Sequence, residues 1–228
     1  MASDNASAHP ANRYDAEIRR IIPFYDALQS EALDIVRATV GSPETWLDTG
    51  CGTGIFVERA LAAFPRTRFV AVDPSAAMLA EAKTRLGDNE RLSFLVPVGS
   101  EKLLSITPRL RVQVITAMLC HHYFEPAGRV AAVQSCYEIL EPGGVLVVVE
   151  NIDCDSLAGR TTGLDRWRDY QKSQGRSEPE VQAHIARFGI ELKPIKIEDH
   201  LEVLKSAGFS CVEIFWRAQM QAGFYAVK

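Results

Sequence analysis

No stretch of this chain approaches the roughly 20 consecutive apolar residues that a membrane-spanning helix needs. The first ten residues are polar and small, with no basic segment leading into an apolar one. Neither a membrane span nor a secretory leader is therefore expected. Paired cysteines are missing too: Cys51, Cys120, Cys136, Cys154 and Cys211 are odd in number, scattered, and never in a C-x-x-C pair. That usage fits neither a disulfide framework nor a zinc site, and points to a reducing cytoplasm. Nor is there a basic excess: 25 Lys+Arg stand against 29 Asp+Glu in 228 residues, a net charge of −4. A protein living on phosphate-backbone contacts is not expected from that balance. Internal repeats and low-complexity tracts are absent as well. What is present is an ordinary globular composition, 47% hydrophobic and 24% charged. The length suits one large domain, or one domain carrying an insertion.

Residues 1–10 read as a flexible tail, and a single domain is expected over 11–228. Residues 11–40 have apolar positions at spacings of three and four, interrupted at Pro23, which predicts two N-terminal helices as a cap. Then short apolar runs alternate with amphipathic stretches. The runs cover 45–49, 68–72, 92–96, 112–117 and 145–150; helices are predicted over 55–63, 75–86 and 128–140. Glu141-Pro142-Gly143-Gly144 reads as a turn feeding the fifth strand. Strands alternating with helices predict an α/β fold with a mostly parallel sheet covered on both faces. Residues 153–196 break the rhythm with polar, partly helical sequence near 164–171 and 178–188, a helical insertion too long for a plain connection. A helix over 197–206 and two strands, 210–216 and 222–227, close the chain as a hairpin.

The most informative stretch is Asp48-Thr49-Gly50-Cys51-Gly52-Thr53-Gly54, at the end of one predicted strand and the start of a helix. Glycines there let a ligand approach the backbone, and the helix N-terminus offers free N–H groups. The spacing is D-x-G-x-G-x-G, not the G-x-G-x-x-G of dinucleotide enzymes. A second carboxylate, Asp73, ends the next strand, about 20 residues on, where an acidic side chain can accept from ribose hydroxyls.

On these residues the chain resembles the class I S-adenosylmethionine-dependent methyltransferases. Asp48 to Gly54 is similar to their first motif and Asp73 to their ribose-binding acid. Residues 94–100, 113–124 and 140–144 are similar to the segments around their third, fourth and fifth strands. The resemblance implies a Rossmann-like seven-stranded sheet with an antiparallel last strand, the N-terminal helices and the insertion after strand five forming a lid. It also implies S-adenosylmethionine as cofactor. Gly50, Cys51 and Gly52 would lie against it, Asp48 would fix the loop and receive the amino group, and Asp73 would hold the ribose. Met78 is a candidate cover for the adenine face, with an ordinary core role as the alternative. Ser100 stands where an acid often contacts adenine, and Tyr14 is placed with the cofactor-binding set. The ending, residues 215–228, also looks like a subgroup that includes carboxy-S-adenosylmethionine synthases.

An activated sulfonium needs little from the protein beyond positioning and a dry pocket. A base is needed only where the acceptor starts protonated. His121 and His122 are the candidates, read as neighbours on an extended segment and so pointing oppositely; the alternative is that both are structural or line the cofactor pocket. Tyr25 and Asn151 complete the candidate catalytic set, with Glu150 beside Asn151 at a strand end. Trp167, Tyr170, His184 and Phe188 in the insertion either wall a substrate pocket or pack the lid. No metal site is expected. The reading is methyl transfer to a small molecule by a monomer or homodimer, with no membrane or nucleic acid partner. The alternative keeps the cofactor for other chemistry, its own modification or intramolecular cyclisation.

Overall fold

The computed structural model describes residues 11–228; the tail expected over 1–10 lies outside the described residues. Two helices come first, α1 (Ala11–Ile21) and α2 (Tyr25–Thr39). Pro23 cannot donate the N–H that would continue α1, and Phe24 turns the chain with a left-handed φ of 55°. There follow β1 (Thr45–Thr49), α3 (Ile55–Ala63), β2 (Arg68–Val72), α4 (Ala76–Leu86) and β3 (Leu92–Phe94). Then come α5 (Leu103–Ile106), β4 (Val112–Met118), α6 (Pro126–Ile139) and β5 (Leu140–Asp153). The remainder holds α7 (Leu157–Ser173), α8 (Glu178–Ile185), β6 (Ile195–Lys196), α9 (Ile197–Ser206), β7 (Cys211–Ala218) and β8 (Gln221–Val227).

The strands form one sheet in the order β3-β2-β1-β4-β5-β8-β7, with β6 beside the end of β5. Strands β1 to β5 pair in parallel. β8 runs antiparallel to both β5 and β7, so the last strand alone runs against the others, as the resemblance implied. The sheet has eight strands rather than seven. The extra one is β6, two residues long, too short to leave any periodic signal. Glu141–Gly144 is also not a turn ahead of the fifth strand. Leu140 already pairs with Val112, and Val145 pairs with Val114, so these four residues bulge out of a strand that begins at once after α6.

Trp46, Leu47, Val114, Ile115, Leu146 and Val147 are wholly buried, as strands covered on both faces must be. Helix α4 starts where Ser75 Oγ accepts from the Met78 N–H at 3.2 Å. Helix α8 starts with the reciprocal Ser177–Glu180 capping box. The chain winds from β1 outward through β2 and β3, then returns to β4 on the other side of β1. That reversal opens a crevice at the carboxyl ends of β1 and β4. Above those ends, a cluster of Ile18, Ile21, Ile22, Tyr25, Trp167 and Leu119 joins the N-terminal helices to the insertion. Trp167 Nε1–H donates to the Ile21 carbonyl at 2.6 Å. No helix among the described residues is long and apolar enough to cross a membrane.

Candidate active site

The glycine loop hangs from the end of β1. Gly50 and Gly52 adopt φ of +69° and +56°, values that only glycine takes at little cost. They differ in surroundings. A Cβ on Gly50 would lie 2.5 Å from Cys120 Cβ, whereas one on Gly52 would meet nothing within 4 Å. Gly50 therefore lets β1 and the β4 loop close on each other, and Gly52 leaves an open cradle. The Cys51 N–H donates to the Val72 carbonyl at 2.9 Å, tying the loop to β2. Asp73 is fixed by two backbone donors, the Gly52 N–H at 2.9 Å and the Ser75 N–H at 2.8 Å.

Asp48 sits opposite Thr116 in the β1–β4 register. It accepts from the Thr116 hydroxyl, which in turn accepts from Trp46 Nε1–H at 2.9 Å. Burial pushes the Asp48 carboxyl up to about 7; the Thr116 bond opposes this and the charge of Asp73 adds to it. Two carboxylates repelling across a dry cleft favour a cationic ligand. Burial, with the same two acids nearby, pushes the Cys51 thiol well above its usual range. Cys120 behaves alike, raised by burial and then by Glu150, Asp48 and Asp73. Neither is an activated thiolate. Helix α1 closes over the loop: Asp15 accepts from both Thr53 and Arg85. Met78 is buried in the first turn of α4.

The histidine pair follows β4. The segment is a 3₁₀ turn over His121–Tyr123, not the extended stretch expected, so the neighbours need not point oppositely. Both histidines are buried and both engage Glu150 at the end of β5, which is itself fully buried. The His121 backbone N–H donates to Glu150 Oε1 at 3.0 Å, and His122 Nδ1 lies 2.9 Å from Oε2. His121 Nε2 meets Ser100 Oγ at 3.0 Å, and that hydroxyl also pairs with Thr49 Oγ1 at 2.8 Å. Ser100 thus braces the floor between β1 and the histidine turn. Burial drives His121 down to about 4, partly offset by Glu150. Burial works against the Glu150 charge, yet the His122 hydrogen bond and the nearby His122, His121 and His200 hold its carboxyl below the usual range. His200, stacked on Phe224 at 4.9 Å, is likewise pushed down to about 4 by burial.

Between this turn, α1 and the insertion lies a cavity of about 40 Å³. Its polar lining includes Tyr14, His122, Tyr123, Asn151, His184 and Arg187. Of the candidate catalytic set, His122 and Asn151 line this cavity, while His121 and Tyr25 do not. Asn151 is held by Gln221, whose Nε2–H donates to Oδ1 at 3.0 Å. Tyr25 packs with the α1–α7 cluster. Burial raises the Tyr14 hydroxyl well above its usual range, and Tyr25, Tyr123, Asp73 and Cys120 add to the shift, so Tyr14 stands between Asp73 and the cavity it lines. Trp167 and His184 line the cavity and stack edge-on at 4.9 Å. Tyr170 donates instead to the Arg19 carbonyl, latching α7 to α1. Thr116, Asp15, His200 and Arg187 were not singled out from sequence. Thr116 becomes visible once β4 is known to flank β1; the others depend on packing between distant segments. No group of three or more His, Cys, Asp or Glu among the described residues is arranged to hold a metal ion.

Residues 47–146 match the family model described as Methyltransferase domain. The carboxy-S-adenosyl-L-methionine synthase of Wolinella succinogenes is 28% identical over 226 residues, covering 96% of this chain and 90% of that protein. Two solved structures share the fold. A putative O-methyltransferase from Nostoc punctiforme superimposes with a TM-score of 0.69 at 15% identity, over 97% of this chain and 61% of that longer one. The N-methyltransferase NodS from Bradyrhizobium japonicum, in complex with S-adenosyl-L-homocysteine, gives a TM-score of 0.63 at 15% identity, over 95% and 98%. Residues 47–146 thus carry a methyltransferase domain, as the resemblance of the glycine loop and Asp73 implied. The chain is an S-adenosylmethionine-dependent transferase, and the open cradle at Gly52 and the mutually repelling Asp48 and Asp73 fit that cationic cofactor.

Proposed function

We propose that this enzyme transfers a methyl group from S-adenosylmethionine to a small molecule held in the cavity beneath α1, α7 and α8. The observation that carries the reading is that cavity: it is small, lined half by apolar and half by polar side chains, and has His122 and Asn151 in its wall. Bound S-adenosylmethionine supplies a methyl group already activated by its sulfonium. Gly50, Cys51 and Gly52 would support it through the backbone, with Asp73 toward the ribose, Asp48 toward the amino group, and Met78 and Ser100 on the adenine side. Ile18, Ile21, Ile22, Leu119 and Trp167 keep water from the acceptor. His122 takes the proton where the acceptor atom starts protonated, and Asn151 orients the acceptor. Residues 11–40 and 153–196 act together as the lid. The lack of a basic excess supports a small acceptor rather than nucleic acid, and the five unpaired cysteines support a reducing, cytoplasmic setting.

A second reading is favoured by the Wolinella relative, which aligns over 96% of this chain: the cofactor itself is the molecule modified. Incubating the enzyme with S-adenosylmethionine and no acceptor separates the two. Methyl transfer predicts that the cofactor is recovered unchanged by mass spectrometry, and that turnover begins when a small-molecule extract is added. Stoichiometric methylthioadenosine without any acceptor, or a cofactor of increased mass once the extract supplies a group to attach, would overturn the leading reading in favour of the second.

A further inference from the structure

We propose that Glu150 is a positioning residue that fixes His122 as its Nδ1–H tautomer, leaving the Nε2 lone pair on the cavity side. The inference rests on the proposed methyl transfer and deepens it, because it fixes which atom of the chain receives the acceptor's proton. The geometry leaves little freedom. Glu150 is fully buried, and its two oxygens serve the same turn: Oε1 accepts the His121 backbone N–H at 3.0 Å, and Oε2 lies 2.9 Å from His122 Nδ1. A carboxylate that already accepts a backbone N–H is held as an acceptor, so the shared proton belongs to Nδ1. The Asn151 N–H also approaches Nδ1, but at 3.4 Å. One nitrogen cannot donate to the carboxylate and accept that N–H together, and the shorter, charge-assisted bond prevails. His122 lines the cavity while Glu150 does not. The ring edge turned to the cavity is therefore the one away from Nδ1, which carries Nε2.

The neighbouring histidine cannot substitute. His121 Nε2 is engaged by Ser100 Oγ, and His121 does not line the cavity. The balance of the step is simple. As the acceptor's heteroatom forms its bond to the methyl carbon, the carbon–sulfur bond breaks and its electron pair stays on sulfur. The heteroatom's proton passes to His122 Nε2, and the resulting imidazolium is stabilised by the Glu150 carboxylate at Nδ1. The acceptor class that follows is a heteroatom nucleophile carrying both a lone pair and a proton, a hydroxyl or a neutral amine, rather than a carbon or thioether nucleophile.

The test reads the tautomer rather than turnover. Long-range ¹H–¹⁵N spectra of the full chain saturated with S-adenosylhomocysteine, with the His122 signals assigned from His122→Gln, should show a protonated Nδ1 and an unprotonated Nε2. In Glu150→Gln that pattern should be lost to the Nε2–H form or a mixture. Should Glu150→Gln fail to fold, Glu150→Asp, which shortens the carboxylate by one methylene, should show the same loss of a single tautomer. A protonated Nε2 in the unaltered enzyme, or an unchanged Nδ1–H pattern in the folded variant, overturns the proposal. Failure to bind S-adenosylhomocysteine would instead sink the proposed function, so the two failures are distinguishable.

Discussion

The glycine-loop cleft and the histidine turn meet at the same end of the sheet, yet they are built by opposite means. The cleft is backbone and acid: positive-φ glycines, amides clasping Asp73, and a carboxyl at Asp48 that burial and Asp73 push up to about 7. The turn is buried side chains around one anionic centre, with His121 and His200 pushed down to about 4 beside Glu150. One region is short of positive charge and suits a cationic cofactor. The other holds neutral imidazoles around a compensated carboxylate and suits proton handling. The difference teaches that the two halves of the site answer differently to the same perturbation.

The largest expected effect comes from the loop itself. Gly50→Ala combines left-handed strain with a collision against Cys120 and should cost roughly 2–6 kcal/mol. Gly52→Ala meets open space and should cost only about 1–2 kcal/mol of backbone strain, while still obstructing the cradle. Chemical denaturation of both variants checks the ratio; equal losses would show that the Gly50–Cys120 contact carries nothing. Next, Asp73→Ala should weaken S-adenosylhomocysteine binding by about 1–3 kcal/mol, by removing an acceptor of hydroxyl hydrogen bonds. Calorimetry reads this, and an unchanged affinity would show the ribose assignment wrong.

The pH dependence of stability sets the two regions directly against each other. Asp48 keeps its proton up to about 7 in the fold, against an ordinary 3.8. Between those values the folded state binds the extra proton, so this group's contribution falls as pH rises. His121 and His200 protonate only near pH 4 in the fold, against an ordinary 6.5. Over that window the unfolded chain binds the extra protons, and their contributions rise with pH. Each group is worth up to about 1.4 kcal/mol per pH unit where only one state is protonated. Denaturation between pH 4 and 6.5 should therefore show a steeper rise in Asp48→Asn and a shallower one in His200→Gln. Parallel curves for all three proteins would break the comparison. The smallest effect is at the lid: Tyr170→Phe loses the bond to the Arg19 carbonyl, about 1 kcal/mol by chemical denaturation, with S-adenosylhomocysteine affinity little changed.

The cleft was legible in the sequence because its chemistry is local. Asp48 to Gly54 and Asp73 carry their meaning in spacing, and the strand alternation around them places both at carboxyl strand ends. The histidine turn was half legible. His121 and His122 stood out as a pair, and Glu150 and Asn151 as a strand end. Nothing local shows that β4 and β5 pair in a register that brings Glu150 against the His121 backbone N–H and the His122 ring. The extended reading failed because a 3₁₀ turn leaves no periodic trace over three residues. His200 and Arg187 come from segments far along the chain, and only packing brings them near. The bulge at Glu141–Gly144 was misplaced for a similar reason: Pro and Gly signal a departure from regular pairing without saying whether the strand has already begun.

Titration calorimetry of S-adenosylhomocysteine into the intact protein tests the central claim most directly. The account predicts saturable one-to-one binding that weakens as pH falls below about 7, where Asp48 takes up a proton, and that is lost or strongly weakened in Asp73→Ala. Absence of binding by folded protein, or binding indifferent to both pH and Asp73, would contradict it.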